Sequence, residues 1–314
     1  MSVGQSIRKS IPFFTEDECA AALFAAKWSE GFRCPRCAHS RYYDVSSRGR
    51  RLFECRSCSH QTSLTAGTVF EGTRTPLTKW FTAMYLMQFG ISAVLLAEWI
   101  QVTYKTAWLI NHKLRHAIGE RDQDRPLGGN LQLLGEYYGY EYHRYFSDKL
   151  AQGELKPQPI VIGASLDETG EVVQLKMKAV DGPEGDCVPG SGSSEGDEAM
   201  ELFLQNHAAN RRESDHLEVL KRSHRGRKEP HLAWLGVVRW LAWTFGGIGP
   251  KHLQAYLNEY CFRYMYGSRA LPALIANVVT TRTITYRSLV GARSGIRPIR
   301  WAFRRPVRSR QQAG

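Results

Sequence analysis

Two cysteine pairs, Cys34-Pro35-Arg36-Cys37 and Cys55-Arg56-Ser57-Cys58, dominate the N-terminal part of this chain. Each pair can form a tight turn that places two thiolates on one side, and two such turns close a tetrahedron of sulfur ligands. Zn²⁺ prefers this ligand set, and four protein ligands leave no coordination position open for chemistry. The sequence therefore predicts a structural zinc site whose ligands are Cys34, Cys37, Cys55 and Cys58.

The residues between the cysteine pairs have β-type sequence. Arg41–Val45 and Arg51–Glu54 are the predicted strands, and Ser46–Arg50 is the predicted turn. This arrangement predicts a zinc ribbon. A unit of about 45 residues cannot build enough core alone, so the metal should stabilise its fold. His39 and His60 lie near the pairs, and we expect them at the surface rather than on the metal.

The charge balance points to a polyanionic partner. The 314 residues include 42 Lys and Arg against 30 Asp and Glu, which gives a net charge of +12. Such a charge can also serve solubility alone. Its distribution argues for more, because nine arginines and no acidic residue follow from Arg282 onward. An apolar fraction of 43% excludes a wholly disordered chain.

No targeting or membrane segment is expected. Residues 1–10 are polar, and no apolar core of a secretory signal follows them. The most apolar run, Leu232 to Ile248, is short for a membrane span and contains Arg239, so we predict a buried helix. The prediction is a cytoplasmic protein, associated with bacterial nucleoid DNA, without a membrane partner.

Five segments are predicted along the chain. Gly and Pro residues within 122–130 mark a linker between two halves, and 181–197 reads as a loop. The segments are a helical lead-in (1–31, with a capping box from Thr15 to Glu18), the zinc ribbon (32–75), a helix-turn-helix region (76–121), a mixed strand and helix domain (131–275) and a basic Arg-rich tail (276–314).

A helix-turn-helix is predicted within residues 92–118. Ser92 caps a short helix, Gln101-Val102 forms the turn, and Thr103 caps a second helix that begins at Tyr104. An ordinary helical hairpin would have the same pattern, but the ribbon and the charge favour DNA reading. Trp108 is expected in the core. The predicted DNA-binding residues are Thr103, Tyr104, Lys105, Thr106, His112, Lys113 and Arg115.

A longer series of motifs points to a known family. It comprises Phe32–Cys37, Thr65–Phe70, Thr75–Phe81, Tyr104–Trp108 and Pro250–Tyr264. This order resembles the ISXO-like insertion-sequence transposases. The resemblance implies an α/β multi-domain protein in which a diverged RNase H-like domain of the DDE type follows the zinc ribbon and the helix-turn-helix region. It also implies an acidic site for Mg²⁺, double-stranded DNA of element terminal repeats as partner, and action as a homo-oligomer.

The sequence departs from that family where the acidic residues belong. In the family's first catalytic strand, Leu134 stands at the Asp position and Gly135 replaces the adjacent acid. Leucine cannot bind Mg²⁺, which needs oxygen ligands. Glu136 would lie on the same face of a strand and could substitute, although a solvent-facing Glu is the simpler interpretation.

The two later acidic motifs are also altered. The best match to the second lies within Gly190–Gly196, so Glu195 and Asp197 are the remaining catalytic candidates, with solvated loop acids as the alternative. The third motif should follow His231 by about seven to ten residues, where Leu241 and Trp243 stand.

The sequence leaves two functions open. One is a transposase that cuts and joins DNA with a metal, and the other is a catalytically inactive, transposase-derived DNA-binding protein or repressor. A ribbon that docks on another protein is a third class, but it leaves the helix pair and the tail unexplained.

Overall fold

A computed structural model describes residues 12–47, 50–139, 158–181, 194–208, 215–220, 228–291 and 299–300. The helices in this part are α1 (Glu16–Lys27), α2 (Leu77–Met87), α3 (Ala93–Ile100), α4 (Tyr104–Gln123), α5 (Ser194–His207), α6 (Glu229–Phe245), α7 (Pro250–Tyr266), α8 (Ala270–Thr280) and α9 (Tyr286–Gly291). The strands are β1 (Tyr42–Ser47), β2 (Arg50–Cys55), β3 (Gln61–Ser63), β4 (Asn130–Tyr138), β5 (Gln158–Leu166), β6 (Val172–Asp181), β7 (Leu217–Leu220) and β8 (Ile299–Arg300).

The capping box predicts where α1 begins, and this prediction is confirmed. The Thr15 hydroxyl accepts a hydrogen bond from Glu18 N, and the Glu18 carboxylate accepts one from Thr15 N. The helix leads into the ribbon sheet, in which β1, β2 and β3 pair antiparallel in that order. Strands β1 and β2 match the two predicted strands, whereas β3 is a third strand that was not predicted.

The helical half has one apolar core. Residues of α1, α2, α3 and α4 share it with α8, which returns from the far end of the chain. Leu274 and Val278 of α8 are buried there, and Val69 N donates to Val278 O. The predicted boundary between residues 275 and 276 therefore falls inside a helix, because α8 buries its apolar face against the N-terminal half.

The second sheet has the strand order β7-β4-β5-β6-β8. Strands β4, β5 and β6 pair antiparallel, and β7 lies parallel to β4 on its other side. Asp167 closes the turn between β5 and β6, where its carboxylate accepts hydrogen bonds from Thr169 N and Glu171 N.

Helices cover both faces of this sheet. Leu133 of β4 packs in one cluster with Phe203 of α5, and Leu134 packs in another with Trp234 of α6 and Leu257 of α7. The buried helix predicted over Leu232 to Ile248 is present as α6, but only one of its faces is buried, because Trp243 is 86% exposed. No helix in the described residues is long and apolar enough to cross a membrane.

Candidate metal centre and nucleic-acid interface

The four predicted zinc ligands converge. The sulfur atoms of Cys34, Cys37, Cys55 and Cys58 all lie within 4.8 Å of one another. Cys34 Sγ is 3.7 Å from Cys58 Sγ, and Cys37 Sγ is 3.5 Å from Cys55 Sγ. A tetrahedral zinc with Zn–S bonds of about 2.3 Å separates its sulfurs by about 3.8 Å. The donor set and its spacing fit a structural Zn²⁺.

The two cysteine turns share one backbone pattern. Cys34 N donates to His39 O and Cys55 N to His60 O, each at 3.0 Å. Arg36 N and Ser57 N each point at the first sulfur of their pair, at 3.4 Å. These donors favour thiolates, which are the form that binds zinc.

The ribbon is fixed to α1 by aromatic packing. Trp28, Phe32 and Phe53 form a buried cluster with Cys34 and Cys55. Lys27 Nζ also donates to the backbone carbonyls of Ser63, Leu64 and Ala66, where β3 ends. Burial lowers the pKa of Lys27 to about 8. The lead-in helix and the ribbon therefore form one unit around the metal.

The helix pair α3–α4 has the predicted caps. The Ser92 hydroxyl accepts from Leu95 N, and the Thr103 hydroxyl accepts from Thr106 N. Gln101 adopts a left-handed conformation, with φ of 52°, between the two helices. The exposed first turn of α4 carries Thr103, Tyr104 and Lys105, with Thr106 half-buried beside them.

Three other predicted DNA contacts do not face outward. His112 is 2% exposed and Arg115 is 1% exposed. Lys113 Nζ donates to Val69 O and to Thr283 Oγ1. A residue that binds DNA must face outward, and these three do not, because α4 is enclosed by other helices beyond its first turns. Trp108 lies in this same region, with its ring centroid 3.9 Å from that of His112.

The face of β4 that carries Leu134 also carries Glu136. Leu134 is 0% exposed and Glu136 is 5% exposed. His231, in the first turn of α6, places its Nδ1 3.6 Å from Glu136 Oε1. In the sequence, His231 marks only the start of the third motif, and functional groups are expected further along the chain. The position of His231 at the start of a helix, after a basic segment, was the signal in the sequence for a functional role.

The other catalytic candidates lie elsewhere. Asp197 is exposed near the start of α5, which packs on the face of the sheet opposite to Glu136. The side chain of Glu195 lies outside the described residues. The expectation that Glu195 and Asp197 join Glu136 in one site is therefore not met for Asp197, because the sheet separates it from Glu136.

The second and third motifs also differ from their predicted structure. The chain forms a helix from Ser194, and the strand beside β4 is instead β7, for which the sequence carries no prediction. At the third motif, Leu241 is buried in the core under α6 and Trp243 faces solvent. Neither side chain can bind a metal ion.

Comparison with known proteins finds similarity to the ribbon and to part of the chain. Residues 14–61 match the transposase zinc-ribbon domain. The chain is also 31% identical over 129 residues to an uncharacterized protein in transposable element ISH50 of Halobacterium salinarum. That match covers 40% of this chain and 42% of the relative, so the chain aligns with less than half of the relative's length. No solved structure matches the chain.

The family match and the metal geometry agree. The matched residues include all four cysteines that converge, together with α1 and both strands between the cysteine pairs. Residues 14–61 are therefore similar in sequence to transposase zinc ribbons and carry the matching cysteine geometry, and part of the chain is similar to a protein of a transposable element.

Proposed function

We propose that this protein binds duplex DNA at the ends of an insertion sequence through the zinc ribbon and the first turn of α4. The exposed turn at Thr103, Tyr104 and Lys105 carries this proposal. A helix that presents polar N-terminal residues beyond a capped turn suits the major groove. Arg33, Arg36 and Arg41 of the ribbon are exposed as well and can contact phosphates.

We further propose that the second sheet is a diverged RNase H-like domain. Three antiparallel strands are followed by a helix, and the next strand in the chain lies parallel to the first, on its free side. The strand order and the two covering layers of helices support this assignment.

The chemistry of that domain is proposed to be lost. Leu134 stands where a metal-binding Asp is expected, and its side chain is closed in the core. Asp197 lies across the sheet from Glu136. In the part of the chain that the structure describes, the four cysteines are the one group of three or more Cys, His, Asp or Glu side chains that lie close enough together to hold a metal ion. A catalytically inactive DNA-binding protein, acting as a repressor or as a partner of an active copy, is the function that these features favour.

A second candidate function is an active transposase with a rebuilt site. The contact between Glu136 and His231 is the observation in its favour, because a carboxylate and an imidazole can both bind a divalent metal. Mg²⁺ would be the cofactor in that case, and copies of the chain would act together on paired ends.

DNA binding is tested by measuring affinity against salt for the full chain. Lys105→Ala should weaken binding and reduce the slope of log affinity against log salt by about one phosphate contact. Lys228→Ala, an exposed lysine beside the second sheet, is the matched control and should leave the slope unchanged. Binding without salt dependence would contradict the proposal and favour a protein partner, and competition by unrelated DNA tests whether sequence is read.

Catalysis is tested on DNA that contains the element ends, with Mg²⁺ or Mn²⁺ and with binding measured on the same gel. The inactive assignment predicts a shifted band without strand cleavage in either metal. Cleavage that is lost in Glu136→Gln and in His231→Ala would establish the rebuilt site instead. Gel filtration of the complex tests whether two copies join two DNA ends.

A further inference from the structure

A cavity of about 530 Å³ opens where the two halves of the chain meet. It is lined by the C-terminal end of α4 and the linker that follows, by β6, and by α7 and α8. Neither the zinc site nor the exposed turn of α4 contributes to it. Its volume is in the range that holds a small-molecule ligand.

The floor of the cavity presents a buried hydrogen-bond donor. Asn258 of α7 is 3% exposed and is one of the lining residues. Its Oδ1 already accepts from Lys178 Nζ and from Gln254 Nε2. Its Nδ2 is buried, and no acceptor in the described part of the chain bonds to it. A buried amide donor without an acceptor is costly, so a ligand atom that accepts a hydrogen bond would be stabilised there.

The mouth of the cavity is cationic. The exposed residues Arg121, Arg125 and Arg269 line it. Asp122 also lines it, but its two carboxylate oxygens contact the buried ammonium groups of Lys176 at 2.8 Å and Lys178 at 2.6 Å. These two lysines more than cancel the charge of Asp122. The other acidic residue that lines the cavity is Asp124, whose carboxylate lies 3.5 Å from the guanidinium of Arg121. The electrostatic environment therefore favours an anion at the mouth.

The walls between floor and mouth are mostly apolar. They include Val173 and Leu175 of β6 on one side and Phe262 and Met265 of α7 on another. An inorganic anion would leave these walls and the Asn258 donor without a partner. An uncharged apolar ligand would leave the net positive charge of the mouth without a counter-charge. The ligand that satisfies all three parts has a hydrogen-bond acceptor at one end, a body with apolar surface and an anionic group at the other end.

We propose that this cavity binds a nucleoside phosphate, with the base edge at Asn258 and the phosphate at Arg121, Arg125 and Arg269. Two sources share this chemistry, namely a free nucleotide and an unpaired nucleotide at a DNA end. The proposal does not depend on DNA recognition by α4, because the cavity is formed by other residues.

The test uses the full chain and the four deoxynucleoside monophosphates, measured by titration calorimetry. We expect saturable binding of one nucleotide per chain. Arg269→Glu should weaken it by about tenfold or more, because it reverses a charge at the mouth. Val173→Trp should abolish it by filling the cavity from an exposed strand position. Arg239→Glu reverses an exposed arginine on α6, outside the cavity, and should change nothing.

Two comparisons complete the test. A duplex with a short single-stranded overhang that binds more tightly than a blunt duplex, with the difference lost in Val173→Trp, would identify the DNA end as the source. Mononucleotide binding without that difference would identify a free nucleotide. The proposal is overturned if no mononucleotide binds saturably, if inorganic phosphate binds as tightly as the nucleotides, or if Arg239→Glu weakens binding as much as Arg269→Glu.

Discussion

A single histidine on α4 illustrates how packing changes the meaning of a polar residue. His112 lies between Trp108 and the rings of His252 and Tyr256. Burial lowers its pKa to about 2, and the charges of Arg115 and His252 add to the effect. The neutral imidazole is therefore part of the core between α4 and α7. It is not available to DNA.

This burial predicts a pH dependence of stability. The unfolded-state pKa is near the ordinary histidine value of 6.5, and the folded-state pKa is far lower, so the unfolded chain takes up a proton first as the pH falls. The free energy of unfolding should then fall by about 1.4 kcal/mol per pH unit below 6.5 on account of this residue. His112→Phe should reduce the measured slope by that amount between pH 6 and pH 4.5, in urea unfolding followed by circular dichroism.

The matched control for this prediction is Trp108→Phe. It disturbs the same ring cluster without removing a titrating group, so it should lower stability by a similar amount at every pH. Burial acts to raise the pKa of Asp122, but Lys178 and Lys176 lower it overall, so the stability that Asp122 contributes is lost only below its ordinary pKa of 3.8. An unchanged slope in His112→Phe would show that His112 is accessible to protons.

At the scale of elements, the zinc ribbon depends on its metal more than on its core. Its buried cluster is small and is separate from the core of the helical half. Removal of zinc by a chelator should therefore unfold the ribbon while α2, α3 and α4 keep their packing. Hydrogen exchange should become fast across β1, β2 and β3 and stay slow in α4.

A cysteine outside the ribbon gives the control. Cys34→Ser should reduce the zinc content from one per chain to none, whereas Cys261→Ala, which removes a buried thiol of α7, should keep it. Zinc that remains bound in Cys34→Ser would mean that the metal has a ligand other than the four cysteines.

The capping interaction of α3 makes a second prediction at this scale. Ser92 Oγ accepts from Leu95 N, which satisfies one of the free amide groups at the start of the helix. Ser92→Ala should lower the free energy of unfolding by about 1 kcal/mol, and Ser92→Gly by only a few tenths. Thermal unfolding of the two variants beside the parent chain checks the ranking, and equal losses would mean that the hydroxyl is not the stabilising group.

At the scale of the whole molecule, a buried ion network joins the two halves. Arg115 of α4 donates to Glu259 of α7 at 2.6 Å, and both side chains are almost fully enclosed. Arg263 Nε lies 3.6 Å from the same carboxylate. The Arg263 guanidinium also covers the ring of Trp240, whose indole N–H donates to Gly90 O. The helix pair is therefore held in one orientation relative to the second sheet.

Loss of the carboxylate should be severe. Glu259→Gln leaves the buried Arg115 guanidinium and the partly buried Arg263 guanidinium without a counter-charge, and should lower the free energy of unfolding by about 3–5 kcal/mol. Adding Arg115→Met should recover part of that loss, because one of the unpaired charges is removed with it. Glu120→Gln, an exposed change on the same helix as Arg115, should cost less than about 0.5 kcal/mol. Urea unfolding measures all three, and additive losses in the double variant would contradict the network.

Much of the N-terminal half followed from local sequence. The cysteine spacing predicted the metal ligands, and the Thr15, Ser92 and Thr103 caps predicted three helix starts, because these signals act within a few residues. The turn at Asp167 was predictable for the same reason. The side-chain face of Glu136 followed from strand alternation, although the residue that meets it did not.

The remainder was decided by tertiary structure. Only the packing of α4 against α7 turns His112 and Arg115 inward, since their helix face looks polar in the sequence. Only the two layers of helices place Asp197 and Glu136 on opposite faces of one sheet. The return of α8 to the N-terminal core and the cavity at Asn258 join residues far apart in the chain. Local patterns could not predict them, because they arise when distant apolar surfaces are buried against each other.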